Sequence, residues 1–300
     1  MNAGPFDRRL LRLRRDRAAD GMAAHGFLFR EVAMRLTDRL DDIKRRFPVA
    51  LDLGCHTGDV ARALVSRSEV EALVQSDLSS AMAQQAGGPS GLALAADEEA
   101  LPFASASFDL VLSSLSLHWV NDLPGALLQI RQILKPDGLF LAAMLGGGTL
   151  AELRTAFVQA ELEERGGAGS HVAPFADVRD AGNLLQRAGF ALPVADAETI
   201  TVTYPDVFAL MRDLRGMAEN NAGSMHTPLH RDSLNRAAEI YRTNYADDDG
   251  RIRASFEVIY LTAWAPHESQ PKALKPGSAA SRLAEALDAE EKTAGDKARP

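Results

Sequence analysis

The sequence predicts an α/β protein built on a doubly wound, mostly parallel sheet with an antiparallel edge. Three observations carry that prediction. Short apolar runs alternate with helix-like segments between residues 49 and 144, the pattern of right-handed crossovers feeding a parallel sheet. The first run, Val49 to Leu53, ends in the glycine turn DLGCHTG, which reads as a buried strand entering a helix. Acids then close three successive runs: Asp52 the first, Asp77 the run VEALVQSD, and Asp97 the run LALAAD. Acids at the carboxyl ends of neighbouring parallel strands line one crevice.

Each element has its own signal. Residues 1–47 form an N-terminal segment that reads as helical over 7–46, with Leu10, Leu13, Phe29, Val32, Leu36 and Leu40 recurring among charges until Pro48 stops it. Its six arginines between Arg8 and Arg17 read as a solvated helix face. Strand one spans about 49–53, and a helix follows from about Gly58 to Ser66. Strand two ends at Asp77, before a short helix from Ser79 or Ser80, and strand three ends near Ala96. Strand four is FDLVLSSL from Phe108. Asp122 is a good N-cap with Pro124 in the first turn of the next helix. Lys135 to Gly138 is a sharp stop, and GLFLAAM is strand five.

The core domain, residues 48–265, then takes on further helices: TLAELRTAFVQAELEER, and NLLQRAGF with a glycine stop. Only ETITVTY (198–204) and SFEVIYLTAW (255–264) read as later strands, and they would pair as the antiparallel edge. A helical insertion lies between them, at about 205–250, ending in the turn DDDG. From 266 to 300 the composition shifts to Ala, Lys, Pro, Ser and Glu, which predicts a mostly disordered tail.

Composition narrows the classes. The net charge is −8, yet residues 1–47 hold twelve Arg and Lys against seven Asp and Glu, net +5, leaving −13 for the rest. An acidic body argues against nucleic-acid binding. A single cysteine, Cys55, excludes a disulfide framework and a cysteine zinc site and suits a reducing compartment. No apolar run is long enough for a transmembrane helix. Asp7, Asp16 and Asp20 within the arginine-rich start argue against an organelle transit peptide. The cytoplasm is the expected location, with room for a peripheral contact at the inner face of a membrane.

Charge also selects the cofactor. A dinucleotide fingerprint G-x-G-x-x-G sets a pyrophosphate on a helix N-terminus. Here the spacing is D-x-G-x-x-x-G (Asp52, Gly54, Gly58), with Cys55 and His56 inside the turn and no Lys or Arg in it. A carboxylate there repels phosphate and suits a ligand carrying an ammonium and a sulfonium. S-adenosylmethionine is that ligand. Asp77 would accept hydrogen bonds from both ribose hydroxyls, and Asp97 with Glu98 would meet the adenine amino edge.

DLGCHTGDVARAL and ADEEALPFASASFDLVLSSLSLHWVNDLPGALLQIRQILKPDG resemble the class I S-adenosylmethionine-dependent methyltransferases, which implies a Rossmann-like seven-stranded sheet. Two branches are similar: the malonyl-carrier-protein O-methyltransferases of biotin synthesis, and the complex I (NADH:ubiquinone oxidoreductase) assembly factors described as protein arginine hydroxylases. The second resemblance runs further, through FDRRLLRLRRDRAA, GGGTLAELR, LMRDLRGMAENNA, LHRDSLNRAAEIYR and HESQPKALKPGSA, over about residues 6–279. It implies an enzyme that modifies an arginine of a complex I subunit during assembly. Small-molecule or malonyl O-methylation and a non-catalytic assembly chaperone are the alternatives. By the same resemblance, Asp52, Gly54 and Gly58 hold the methionine portion, Asp77 and Leu78 the ribose, Asp97 and Glu98 the adenine, and Ser114 the lip of the site.

No residue is singled out as an obligate acid or base, because methyl transfer from a sulfonium needs chiefly held geometry and excluded water. His118 is the weak catalytic candidate. With Trp119 it reads first as structural, Trp119 packing under the following helix. The local pattern His230-Arg231-Asp232, with His226 nearby, places Asp232 as a helix N-cap, and no metal site is expected.

Overall fold

A computed structural model describes residues 4–88, 91–224, 227–271, 278 and 283–289. The chain divides into a compact unit, Met1–Pro266, and a second unit, His267–Pro300. The tail predicted to be disordered lies largely outside the described residues.

Seven strands form one sheet: β1 (Phe47–Leu53), β2 (Val70–Asp77), β3 (Leu92–Ala95), β4 (Phe108–Ser114), β5 (Leu134–Leu145), β6 (Ala191–Tyr204) and β7 (Ile252–Trp264), in the order β3-β2-β1-β4-β5-β7-β6. β1 to β5 pair in parallel. β7 runs antiparallel to both β5 and β6, so the late strands make the antiparallel edge. The order reverses between β1 and β4, and a crevice opens beyond the strand ends at such a switch point.

The helices are α1 (Arg8–Ala18), α2 (Met22–His25), α3 (Phe27–Asp38), α4 (Asp59–Leu64), α5 (Ser80–Gly87), α6 (Leu123–Ile133), α7 (Ala151–Arg165), α8 (Val178–Arg187), α9 (Val207–Gly216) and α10 (Arg231–Tyr245). Leu28, Val32 and Leu36 of α3 join the apolar core on one face of the sheet, with residues of α7, α9 and α10. Leu127 and Ile130 of α6 and Leu185 of α8 pack on the other face. The caps follow the sequence: Ser79 Oγ accepts from the Met82 N–H, and Asp122 accepts from the Gly125 N–H.

Four local expectations change. The N-terminal helical region stops at Asp38 rather than running to residue 46, and it is broken at Ala19–Gly21 and Gly26. β5 begins at Leu134, ahead of the stop at Lys135 to Gly138, because Leu134 is buried and pairs with Phe108. The residue at the N-cap of α10 is His230, without a side-chain cap, and Asp232 lies in the first turn. The six arginines of α1 are not all solvated. Arg8 and Arg15 are buried, sharing a stripe with Leu11 and Ala18.

Candidate active site: strand-end acids beside an open cavity

β1 delivers Asp52 to the crevice with no exposure and no hydrogen bond to either carboxylate oxygen among the described residues. Burial, and then the charges of Asp77 and Asp59, push its carboxyl well above the ordinary range. A buried carboxyl with free acceptors fits a cationic ligand group, since an ammonium there would satisfy both oxygens and draw the proton off.

The turn after β1 is built on positive φ. Gly54 has φ +72°, and a Cβ there would fall 2.2 Å from Ser116 Cβ. His56 accepts φ +47°, a region His enters more readily than most non-glycine residues. Its Nε2 lies 3.0 Å from the Leu115 carbonyl, and its N–H donates to Asp77 Oδ2 at 3.0 Å. Cys55 is buried, and burial pushes its thiol up, so it fills space as a neutral group. Gly58, at φ +89°, lets α4 start against Ala86.

Asp77 is fully buried at the end of β2, where the Ser79 N–H also donates to it at 2.8 Å. Leu78 packs against the cluster of Phe6, Leu11 and Trp119. Glu98 is fully buried, and Ser114 is buried at the end of β4. Of the residues expected from the sequence, the structure brings Asp77, Asp97 and Glu98 together, linked through two arginines of α1.

What sequence reading missed is that α1 supplies cations to those acids. Arg15 Nη1 lies 3.3 Å from both Asp77 oxygens and 3.4 Å from Glu98. Arg8 bonds Asp97 at 2.5 Å and also pairs with Glu98. Burial pushes the Glu98 carboxyl up, but Arg8, Arg15 and the Ser116 hydroxyl outweigh this and hold it at about 2. Arg15 is raised despite its burial by Asp77 and Glu98. The signal was present as Arg8, Leu11, Arg15 and Ala18 at helical spacing, but charged residues rarely occupy a buried stripe.

His118 and Trp119 meet at one further acid, Glu219, which follows α9. The Leu145 N–H points to His118 Nδ1 at 3.4 Å, which leaves the proton on Nε2 to donate to Glu219 Oε2 at 3.0 Å. Trp119 Nε1 donates to the same oxygen at 3.0 Å. Trp119 does not pack under α6 as expected; it stacks edge-on against Phe6 and Phe175, which fill that side of the crevice. Burial pushes Glu219 up, while His118, His56 and Arg15 outweigh it and keep the carboxylate charged.

Glu219 also lines a cavity of about 310 Å³ walled by Leu145, Phe157, Phe175 and Leu214. Both of its hydrogen bonds fall on Oε2, so Oε1 remains an acceptor. Asn220 lines the same cavity, and its Oδ1 is buried without a partner. Among the described residues no group of three or more His, Cys, Asp or Glu is placed to hold a metal, and His226 lies outside them. No helix of the described residues is long and apolar enough to cross a membrane.

Sheet order, glycine turn and strand-end acids together define a class I methyltransferase-fold protein. Residues 51–142 match the methyltransferase domain family. Two solved structures share the fold: the YcgJ protein from Bacillus subtilis (TM-score 0.55, 15% identity, covering 77% of this chain and 98% of that one) and a putative methyltransferase from Bacillus halodurans (TM-score 0.54, 17% identity, covering 77% and 99%). The chain belongs to the family that contains the mitochondrial arginine hydroxylase NDUFAF5. It is 45% identical to that protein of Danio rerio over 91% of this chain and 87% of the relative, and 45% identical to that of Homo sapiens over 91% and 81%. The malonyl-[acyl-carrier protein] O-methyltransferase of Gallionella capsiferriformans is a further relative, 36% identical over 93% of this chain and 97% of that one. The chain is thus an enzyme of the methyltransferase fold, and S-adenosylmethionine is the cofactor to which its domain corresponds.

Proposed function

We propose that this enzyme holds S-adenosylmethionine in the acid-lined crevice and modifies an arginine side chain of a protein substrate, a complex I subunit not yet assembled. Asp52, Gly54, Cys55 and Gly58 would hold the methionine portion, Asp77 and Leu78 the ribose, Asp97 and Glu98 the adenine, and Ser114 the lip. When bound, the cofactor supplies an electrophilic methyl group.

The observation that carries the substrate reading is Glu219. A guanidinium needs a planar acceptor, and Glu219 offers a charged oxygen, oriented from behind by His118 and Trp119, in a cavity with an apolar wall. His118 is then a positioning residue, since its proton is committed to Glu219. The relatives described as arginine hydroxylases support the same substrate.

The test is peptide mass analysis of the complex I subunits with and without the gene. An arginine that loses an oxygen in the deletion assigns hydroxylation, and one that loses a methylene assigns methylation. No altered arginine overturns the reading.

A second reading has its own support: the 36% identical O-methyltransferase relative, and arginines at the cavity rim, Arg14 and Arg215, suited to a substrate carboxylate. Growth of the deletion strain without biotin would remove it.

A further inference from the structure

A groove between α1, α2 and α9 is lined by four arginines, Arg14, Arg17, Arg212 and Arg215, together with His25 and Asn220, and no acid is among its lining residues. The arginines come as two pairs at i, i+3 spacing, each pair on one helix face. The helices are held close by design of the chain. A Cβ on Gly216 would fall 2.3 Å from His25, and His25 Nδ1 bonds Asp213 Oδ1 at 2.6 Å.

The groove is a place of uncompensated charge on a chain whose net charge is −8. Among the described residues Arg17, Arg212 and Arg215 are in no ion pair, and Arg14 spends Nη1 on the carbonyls of Asn220 and Asn221 at 2.8 and 2.6 Å. Burial lowers Arg14; the charge of Asp7 opposes that shift and the smaller effect of Arg215 adds to it, so the two cations feel each other. Like charges gathered this way oppose folding and focus a positive potential outwards.

The groove adjoins the cavity proposed for the substrate. Arg14, Arg215 and Asn220 line both. An arginine arriving alone would meet four like charges before it reached Glu219. An arginine flanked by acids would not, because its neighbours would pair with the groove while its guanidinium passed to the carboxylate. At about 3.3 Å per extended residue, the acids need to lie within a few positions of the arginine.

We propose that the four-arginine groove docks an acidic segment next to the arginine to be modified, and so selects which arginine enters the cavity. This rests on the cavity being the substrate site. The ligand is an extended, acid-rich stretch of the protein substrate.

Two fluorescein-labelled decapeptides with one central arginine, flanked by glutamates or by serines, titrated into the full chain by anisotropy, test it. The glutamate peptide binds about tenfold or more tightly at low salt, and the preference fades as salt rises. Arg17→Ser with Arg212→Ser, both exposed positions that line only the groove, removes the preference without moving the melting temperature. Equal binding of the two peptides, or a preference that survives the double substitution, overturns the proposal. So does binding to vesicles of anionic phospholipid with no peptide preference, which would make the groove a membrane contact. Docking and the substrate reading fail separately: a peptide preference with no altered subunit arginine retires the substrate reading, and an altered arginine with no preference retires the docking.

Discussion

Arg15 and Asp77 are joined across the crevice, the guanidinium Nη1 3.3 Å from both carboxylate oxygens, with neither side chain exposed to solvent beyond 1%. The N-terminal helix and the acid at the end of β2 are therefore one electrostatic unit. Arg15→Met leaves Asp77 and Glu98 short of a cation in a dry site. Breaking a buried pair costs about 3–5 kcal/mol, so urea unfolding should show a loss of that order.

Glu98 ties stability to pH. Its folded value of about 2 lies below the ordinary 4.5, so its contribution is full above the ordinary value and is lost as pH falls from about 5 towards 2. Glu98→Gln leaves Arg8 and Arg15 short of an acid in a buried site, which costs about 3–5 kcal/mol at neutral pH, and the gap between variant and parent should close in acid. Chemical unfolding at several pH values checks it.

Asp52 has the opposite sign. Its carboxyl is raised by burial and by Asp77 and Asp59, so ionising it costs stability as pH rises above its unfolded value of about 4. Asp52→Asn should melt higher than the parent at neutral pH without ligand. The same variant should lose most of the thermal shift that S-adenosylmethionine produces in the parent.

Glu219→Gln keeps the shape but removes the charge that His118 and Trp119 hold in place. A lost charge-assisted hydrogen bond is worth about 1.5–3 kcal/mol, which predicts roughly a 10–100-fold fall in kcat/KM on the arginine substrate. Cofactor binding should be unchanged.

The legible and illegible parts of this site differ for physical reasons. Asp52, Asp77 and Asp97 could be placed because a strand ends where its apolar run ends, and parallel strands bring those ends together. Gly54 and Gly58 could be placed because positive φ at a turn calls for glycine. Arg8 and Arg15 were hidden, since a helix bearing a cation on nearly every turn looks solvated until an acid-lined crevice is known to lie beneath it. Glu219 was hidden more deeply. It lies 101 residues from His118, and no local pattern marks a lone glutamate after a helix as the acceptor for both His118 and Trp119. The sequence predicts Trp119 packing under the following helix, whereas its indole N–H needs a buried acceptor and finds Glu219 across the site.

Calorimetric titration of the pure chain with S-adenosylmethionine tests the central claim most directly. Saturable binding at one site per chain, abolished by Asp52→Asn together with Asp77→Asn, is the predicted result. No heat and no rise in melting temperature at millimolar ligand, or unchanged binding by the double variant, would contradict it.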